Sequence, residues 1–291
     1  MRQAGLKRAS LRPKCIVSKV EVERKFNLGP KFASIFLSED WTKPQAQGRK
    51  IYIDKESFSF TVIRQPVEII RDTYYDMQNG QLSQLGLWVR QRHVHVSPLD
   101  PSRQKSRQDL QAALECTLEP STGDSKKSRW NAKLRIGGHF NDSQFTEFDG
   151  KKIVSDQVLR ITERRTKLED LQVFTDLQTQ RFSWEVTQLA DGTTPSAKMT
   201  IVVDEVTEAH ASKGRSDKSA FTHTIGEVEL FKEFVTEGND RAEHEAERKK
   251  VADHRMWELK EFMLAHPDLF ATTPKPIGKL TAYDTWKNTP S

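Results

Sequence analysis

The sequence predicts an α+β protein whose main element is an antiparallel β-sheet. Strand-like runs recur along most of the chain, turn-forming pairs such as Asn79-Gly80 and Gly137-Gly138 separate several of them, and helical periodicity is confined to two segments. Because tight turns join antiparallel neighbours, these observations together indicate a meander. No internal repeat and no long linker is evident, so residues 19–288 are expected to form a single domain after a basic, disordered tail at residues 1–18.

Nine runs are predicted to be strands. In chain order they cover residues 16–26, 58–63, 69–75, 85–95, 112–119, 131–136, 178–189, 198–206 and 222–231. Residues 145–160 are predicted to be a helix from a mixed periodic pattern. A second helix is predicted at residues 240–265, where Met256, Leu259 and Met263 return at three- and four-residue steps before Pro267 ends the pattern.

Three polar segments are expected to be exposed loops inserted between these elements. They cover residues 43–55, 97–108 and 211–219 and are rich in residues such as Lys and Ser. Only two cysteines occur, Cys15 and Cys116, which is too few for a disulfide framework and fits a reducing compartment.

The charge balance argues for a protein without a membrane or nucleic-acid partner. Charged residues make up 30% of the 291 residues and no long apolar run is present, so no transmembrane helix is expected. The net charge is +5, but 46 basic and 41 acidic residues nearly balance, and six of the basic residues precede Glu21 where no acid occurs. This tail lacks the apolar core of a secretory signal, so a cytoplasmic location is expected, with a mitochondrial presequence as the alternative.

Carboxylates occupy alternate positions in two distant strands. Glu21 and Glu23 lie two apart in one, and Glu227 and Glu229 lie two apart in the other. Residues two apart in a strand share a face, so each pair presents its acids together, and two such pairs can converge on one divalent cation. The alternative is that alternating charge marks the solvated face of a half-buried strand.

Basic residues follow the same spacing in a third strand. Trp88, Arg90 and Arg92 share one face of the extended run that begins at Leu87. Guanidinium groups bind phosphate oxygens in pairs, and carboxylates bind divalent cations. The two patterns together therefore indicate a polyphosphate site. Tyr74 and Tyr75 are expected to pack, and His93 and His95 are expected to be solvated rather than to bind metal.

The order of these motifs resembles the triphosphate tunnel metalloenzymes, also called CYTH domains, and within them most the thiamine triphosphatases. The opening run Val-Glu-Val-Glu-Arg-Lys-Phe at residues 20–26 resembles the ExExK signature of that family. The other matching segments are residues 71–76, 87–92 and 179–184, Lys133, Asp204, and residues 226–229 and 278–280. The resemblance covers nearly the whole chain from Val20 onwards.

The resemblance implies an eight-stranded antiparallel β-barrel with a charged lumen open at both ends and helices packed outside. It implies that the metal is bound by Glu21, Glu23, Asp204, Glu227 and Glu229. It implies that the substrate is bound by Lys25, Trp88, Arg90, Arg92, Lys133, Arg181 and Lys279. One departure is Val206, where family members often have a second acid, a position that Glu208 could take over. Arg164 and Arg165 are alternatives to Arg181 for the same position of the family pattern. The nearby Trp184 favours Arg181.

The implied activity is hydrolysis of thiamine triphosphate to thiamine diphosphate and phosphate, with Mg²⁺ as the metal or Mn²⁺ in its place. Basic residues stabilise the transferring phosphoryl group, and Lys25, Lys133 and Glu227 are the candidate catalytic residues. Either Glu227 or a desolvated Lys133 accepts the proton of the attacking water, and the sequence leaves this open. A small-molecule triphosphate is the expected partner of a monomeric protein.

Two other classes of function remain open from the sequence. An inorganic tripolyphosphatase or nucleoside triphosphatase of the same fold would leave Trp88 without its role in stacking. A non-catalytic module that binds polyphosphate or RNA would bind in a strongly salt-dependent way and release no phosphate. The paired acids argue against this module, because carboxylates facing a polyanion weaken its binding.

Overall fold

The computed structural model describes residues 16–38, 49–53, 58–96, 128–139, 141–189, 193–209, 220–236 and 241–289. The strands within these ranges are β1 Ile16–Leu28, β2 Arg49–Ile53, β3 Phe58–Arg64, β4 Glu68–Asp76, β5 Leu87–Val96, β6 Arg129–Gly138, β7 Asp142–Asp149, β8 Gln172–Gln188, β9 Lys198–Glu208, β10 Thr222–Thr236 and β11 Phe270–Ala271. The helices are α1 Pro30–Phe36, α2 Gln81–Gln84, α3 Lys151–Ile161, α4 Arg241–Leu264 and α5 Lys279–Asn288, with short 3₁₀ turns at Gln78–Gly80 and Leu168–Asp170.

Eight of the strands close into a barrel. Antiparallel pairing runs in the order β8-β4-β5-β6-β7-β1-β10-β9, and β9 pairs back to β8. Outside the ring, β2 and β3 extend the sheet from β8, while β11 pairs with the end of β1. The predicted eight-stranded antiparallel barrel with flanking helices is therefore confirmed by its own strand pairing.

Alternation along β1 explains why the barrel is polar inside and apolar outside. Val20, Val22 and Phe26 are buried in an apolar cluster against the helices, whereas Glu21 and its same-face neighbours point into the lumen. Gly226 lies opposite Phe26 in β10, and a Cβ atom there would come within 2.3 Å of the Phe26 ring. The main core thus lies between the barrel wall and helices α1 and α4, leaving the lumen for charged groups.

Two further apolar clusters fix the remaining helices. Helix α3 contributes Val154 and Val158 to a cluster with β5 and β6 on the outer wall. Helix α5 packs on the barrel through Tyr283, which lies in a cluster with Val206 and Phe221. This packing explains why Val206 is apolar, since it belongs to the cluster that holds helix α5. No helix in the described part of the chain has the length and hydropathy that crossing a membrane requires.

The structure corrects two of the predicted elements and the end of the tail predicted at residues 1–18, because residues 16–18 belong to β1 and pair with β10. The helix predicted at residues 145–160 is wrong in its first part, because Asp142–Asp149 forms β7 and the helix begins only at Lys151, after Gly150 at φ 98°. The loop predicted at residues 43–55 contains β2 at Arg49–Ile53, which pairs with β3. Within the described residues, the other predicted strands and the second helix are confirmed with shifted ends. The strand predicted at residues 112–119, the loops at 97–108 and 211–219, both cysteines and residues 1–15 lie outside the described residues.

Candidate active site

The lumen of the barrel holds a cavity of about 190 Å³, here called the charged chamber. Its walls come from β1, β4, β5, β6, β7, β8 and β10 and from the start of α5. The predicted site residues that line it are Glu21, Glu23, Lys25, Trp88, Arg90, Arg92, Lys133, Arg181, Glu227, Glu229 and Lys279. Residues far apart in sequence thus meet in one chamber, while Arg164 and Arg165 are exposed beyond α3.

Three carboxylates converge in the chamber and form the acidic trio, Glu21, Glu23 and Glu229. All three are buried, and one oxygen from each lies within 4.8 Å of the others. The register of the sheet accounts for this, because Glu23 lies directly opposite Glu229 in the β1–β10 pair and Glu21 shares the face of Glu23. Three buried oxygen ligands at this separation can hold one divalent cation.

Burial and mutual repulsion disfavour the charged forms of Glu21 and Glu229, whereas two lysines favour the charged form of Glu23. Burial raises the pKa of Glu229 to about 7, helped by the neighbouring Glu227 and Glu23 carboxylates against the opposing effect of Arg181. Burial also raises the pKa of Glu21 well above its ordinary value, although Lys133 opposes it. Burial alone would raise the pKa of Glu23 too, but Lys25 and Lys133 lower it to about 2.

Two lysines neutralise part of this negative charge. Lys133 Nζ lies 2.5 Å from Glu21 Oε2 and 3.5 Å from Glu23 Oε2, and Lys25 contacts Glu23 and lies 3.3 Å from Glu227 Oε1. Burial alone would lower the pKa of each lysine, but the adjacent carboxylates raise both above their ordinary value. Both ammonium groups are therefore charged at neutral pH, which disfavours Lys133 as a base.

The opposite wall carries two arginines oriented by a buried acid. Arg92 donates to both oxygens of Asp72 at 2.7 Å, and Arg90 Nη1 lies 3.7 Å from Asp72 Oδ2. Arg90 Nε also donates to Asn131 Oδ1 at 2.8 Å. Burial alone would raise the pKa of Asp72, but Arg90 and Arg92 hold it well below its usual range. Asp72 thus fixes the two guanidinium groups in the chamber.

Asp204 orients Arg181 in the same way that Asp72 orients Arg90 and Arg92. Arg181 Nε and Nη2 donate to the two oxygens of Asp204 at 2.7 Å each, and Lys279 Nζ lies 3.4 Å from Asp204 Oδ2. Asp204 is only 1% exposed and lies outside both the acidic trio and the chamber lining. Its contacts favour a role in orienting Arg181, while its metal role stays a prediction. Glu208 accepts a hydrogen bond from the Tyr283 hydroxyl at 2.8 Å.

Glu227 lines the chamber beside Lys25 but is not part of the acidic trio. A base must lie next to the water it deprotonates, and a carboxylate beside the acidic trio could meet that condition. The catalytic and metal-binding roles of Glu227 stay predictions, as do the substrate-binding roles of the basic residues.

Sequence reasoning missed three charged residues of the chamber region. Asp72 received no role within the motif at residues 71–76, although the register places it opposite Arg92 in the β4–β5 pair. Glu147 lies 3.6 Å from Lys133 and 3.7 Å from Arg90, but its segment was predicted to be a helix. Arg135 follows Lys133 by two residues in β6 and shares its face, and this alternation could have indicated it.

Trp88 is partly buried in the chamber wall and has aromatic and cationic neighbours. The Arg135 guanidinium carbon lies 4.8 Å from the indole centroid, and Phe145 packs edge-to-face with the indole at 5.6 Å. His93 and His95 are exposed near the end of β5 and lie outside the acidic trio. Tyr74 both lines the chamber and packs in the apolar cluster under α5.

The lumen continues past the charged chamber. A second cavity of about 460 Å³ is lined by other residues on the lumen-facing side of the strands, including Lys19 and Thr200. Arg181, Glu229 and Phe231 line both cavities. Glu229 of the acidic trio therefore lies at the junction between the two cavities.

Comparison with solved structures returns proteins of low similarity. A protein from Hippeastrum, described as a candidate adenylyl cyclase with a dominant triphosphatase activity, is 12% identical with a TM-score of 0.39, over 94% of this chain and 98% of that one. A protein from Bacillus halodurans described as a candidate adenylate cyclase is 11% identical with a TM-score of 0.40, over 90% and 96% of the two chains. One from Vibrio parahaemolyticus with the same description is 13% identical with a TM-score of 0.36, over 91% and 97%.

No protein-family model and no curated protein sequence matches this chain. At these TM-scores and identities the solved structures assign neither a family nor an activity. Membership of the triphosphate tunnel family therefore stays a prediction, while the barrel itself follows from the strand pairing.

Proposed function

We propose that this protein is a metal-dependent hydrolase that cleaves a phosphoanhydride bond of a small triphosphate. The observation that carries the proposal is the meeting of the acidic trio with lysine and arginine side chains in one chamber of the barrel. The oxygens of a polyphosphate bind cationic groups, and a divalent metal binds carboxylates. The chamber holds basic side chains and carboxylates within a few ångströms of one another. A binding module for polyanions alone would gain nothing from the three buried acids.

The donor set fits Mg²⁺, with Mn²⁺ as the alternative. All three groups of the acidic trio are oxygen ligands. Burial is the main cause of the raised pKa values of Glu21 and Glu229, and a bound cation would favour the charged forms of both carboxylates. Lys133 already lies against Glu21, so the site attracts positive charge. When bound, such a metal would neutralise phosphate charge and lower the pKa of a coordinated water.

The basic residues of the chamber bind the substrate and neutralise the negative charge of its phosphoryl oxygens. Arg90, Arg92 and Arg181 present guanidinium groups that pair with phosphoryl oxygens, while Lys25 and Lys133 neutralise the oxygens nearest the acidic trio. Water attacks the γ-phosphorus, the bond from this phosphorus to the bridging oxygen breaks, and the electron pair stays on the departing diphosphate. Glu227 is the proposed acceptor of the proton that the water loses.

Thiamine triphosphate is the proposed substrate within this class, and inorganic tripolyphosphate is the second candidate. The support for thiamine triphosphate is Trp88, whose indole lines the chamber beside the phosphate-binding arginines. A positively charged thiazolium ring can stack on an indole with about 0.5–2 kcal/mol of cation–π attraction. Release of phosphate from thiamine triphosphate, tripolyphosphate and nucleoside triphosphates with Mg²⁺, Mn²⁺ or Ca²⁺ tests the proposed activity and metal.

Replacing Trp88 by alanine is expected to separate the two candidate substrates. The variant should lose about tenfold in kcat/KM for thiamine triphosphate, because stacking is lost, and less than about twofold for tripolyphosphate, which has no ring to stack. Steady-state phosphate release measures both values. The matched control is Trp257→Ala on α4, where the side chain is 59% exposed. Equal losses of the Trp88 variant on both substrates would remove the stacking argument.

A further inference from the structure

Arg135 places a positive charge on the indole that the substrate ring would use. Its guanidinium carbon lies 4.8 Å from the centroid of Trp88, within the range of a cation–π contact. Both residues line the charged chamber. The position follows from the sheet, because Trp88 lies opposite Lys133 and Arg135 is the next residue of β6 on that face.

The backbone around Arg135 holds this arrangement in place. The Arg135 N–H donates to the Gly86 carbonyl at 2.8 Å, and the register of the β6–β7 pair shifts between Arg135 and Gly137. Such an irregularity changes the direction of the side chains around it. The guanidinium itself is on an exposed residue, so it can move when a ligand arrives.

The presence of this cation affects different substrates in opposite ways. A thiazolium that stacks on the face of Trp88 next to Arg135 must displace the guanidinium. A thiazolium on the other face of Trp88 lies within a Debye length of the guanidinium, so the two positive charges repel each other. A tripolyphosphate has no ring to place there and is attracted by the additional positive charge. Arg135 therefore reduces the advantage that stacking on Trp88 gives to a cationic ring, and it adds to the attraction of a bare phosphate chain.

We propose that Arg135 is a specificity-determining residue that disfavours triphosphates with a positively charged ring relative to inorganic tripolyphosphate. The inference rests on the proposed function in taking the charged chamber as the triphosphate site. It concerns the choice between substrates rather than the hydrolytic step, so Arg135 is not assigned a catalytic role.

Equilibrium binding without a divalent cation tests this inference independently of turnover. Isothermal titration would give the Kd of thiamine triphosphate and of tripolyphosphate for the wild type, Arg135→Gln, Arg135→Lys and Lys152→Gln. In Arg135→Gln the ratio of the two Kd values should shift by about three- to tenfold in favour of thiamine triphosphate, because the competing cation is gone. Arg135→Lys keeps the charge and should shift less. Lys152→Gln removes the same charge from the outer helix α3, where the side chain is 88% exposed, and should leave the ratio unchanged.

The possible results separate this inference from the proposed hydrolysis. An unchanged ratio in Arg135→Gln, or a shift towards tripolyphosphate, would overturn the role of Arg135. Failure of the wild type to bind either compound would overturn it as well. If the ratio shifts as expected but the wild type releases no phosphate with any metal, Arg135 keeps its role and the proposed hydrolysis fails.

Discussion

Glu23→Gln is expected to lower phosphate release from every triphosphate by about a thousandfold or more. Glu23 belongs to the acidic trio, and its replacement removes a charged group of the proposed metal site and a partner of Lys25. A bound metal contributes several kcal/mol to the stabilisation of a phosphoryl transition state, and about 1.4 kcal/mol corresponds to tenfold in rate. Steady-state phosphate release with Mg²⁺ measures the loss, and titration with Mg²⁺ measures the accompanying loss of metal binding.

Three further variants make this result specific. Glu205→Gln has the same chemical change at an exposed position of β9 and should keep full activity. Glu229→Gln should lose as much as Glu23→Gln, and the double variant should lose little more, because ligands of one metal act as a unit. Thermal unfolding shows whether each variant is folded. Full activity in a folded Glu23→Gln protein would refute the metal assignment.

Asp72→Asn is expected to destabilise the fold by about 3–5 kcal/mol. Asp72 is 1% exposed and is the buried counter-charge of Arg90 and Arg92, so its loss leaves two guanidinium groups without their acid. Denaturant unfolding of the protein without ligand measures the change. Added tripolyphosphate should stabilise this variant more than the wild type, because phosphate oxygens can replace the missing carboxylate.

Asp176→Asn provides the matched control outside the charged chamber. Asp176 accepts from Arg71 at 2.6 Å in a partly exposed pair, so its loss should cost about 1 kcal/mol or less.

The contribution of Asp72 to stability is expected to depend on pH. Because the pKa of Asp72 is lower in the folded state, this contribution is complete above the unfolded-state pKa and diminishes as the pH falls below about 4. The difference between wild type and Asp72→Asn should therefore shrink in acid. A cost no larger than that of Asp176→Asn at neutral pH would contradict the assigned role.

Strand alternation was sufficient to predict which residues share a face. Glu21 with Glu23, Glu227 with Glu229, and Trp88 with Arg90 and Arg92 all face the charged chamber in the structure. The period of two in a strand is a local property, and it needs no knowledge of the partner strand. Alternation was not applied to Glu147, because its segment was predicted to be a helix. The structure shows that this segment is strand β7, so the direction of the Glu147 side chain was not predicted.

Contacts between strands could not be predicted in the same way. The resemblance implies that Asp204 binds the metal, yet in the structure Asp204 accepts hydrogen bonds from Arg181, its direct neighbour in the β8–β9 register. Arg135 reaches Trp88 through a β6 strand whose register shifts near that residue. Register and barrel closure depend on the whole set of strands, so no single segment contains this information.

By itself, the sequence determined the antiparallel sheet, the polarity of its two faces and the residue types of the proposed polyphosphate site, because each depends on local spacing and side-chain chemistry. Only the tertiary structure decided which acids converge and which are paired with arginines. It also decided that Glu21, Glu23 and Glu229 form the trio while Asp72 and Asp204 orient guanidinium groups. The physical reason is that the energy of a buried charge depends on its distance to other charges, and closure of the barrel sets those distances.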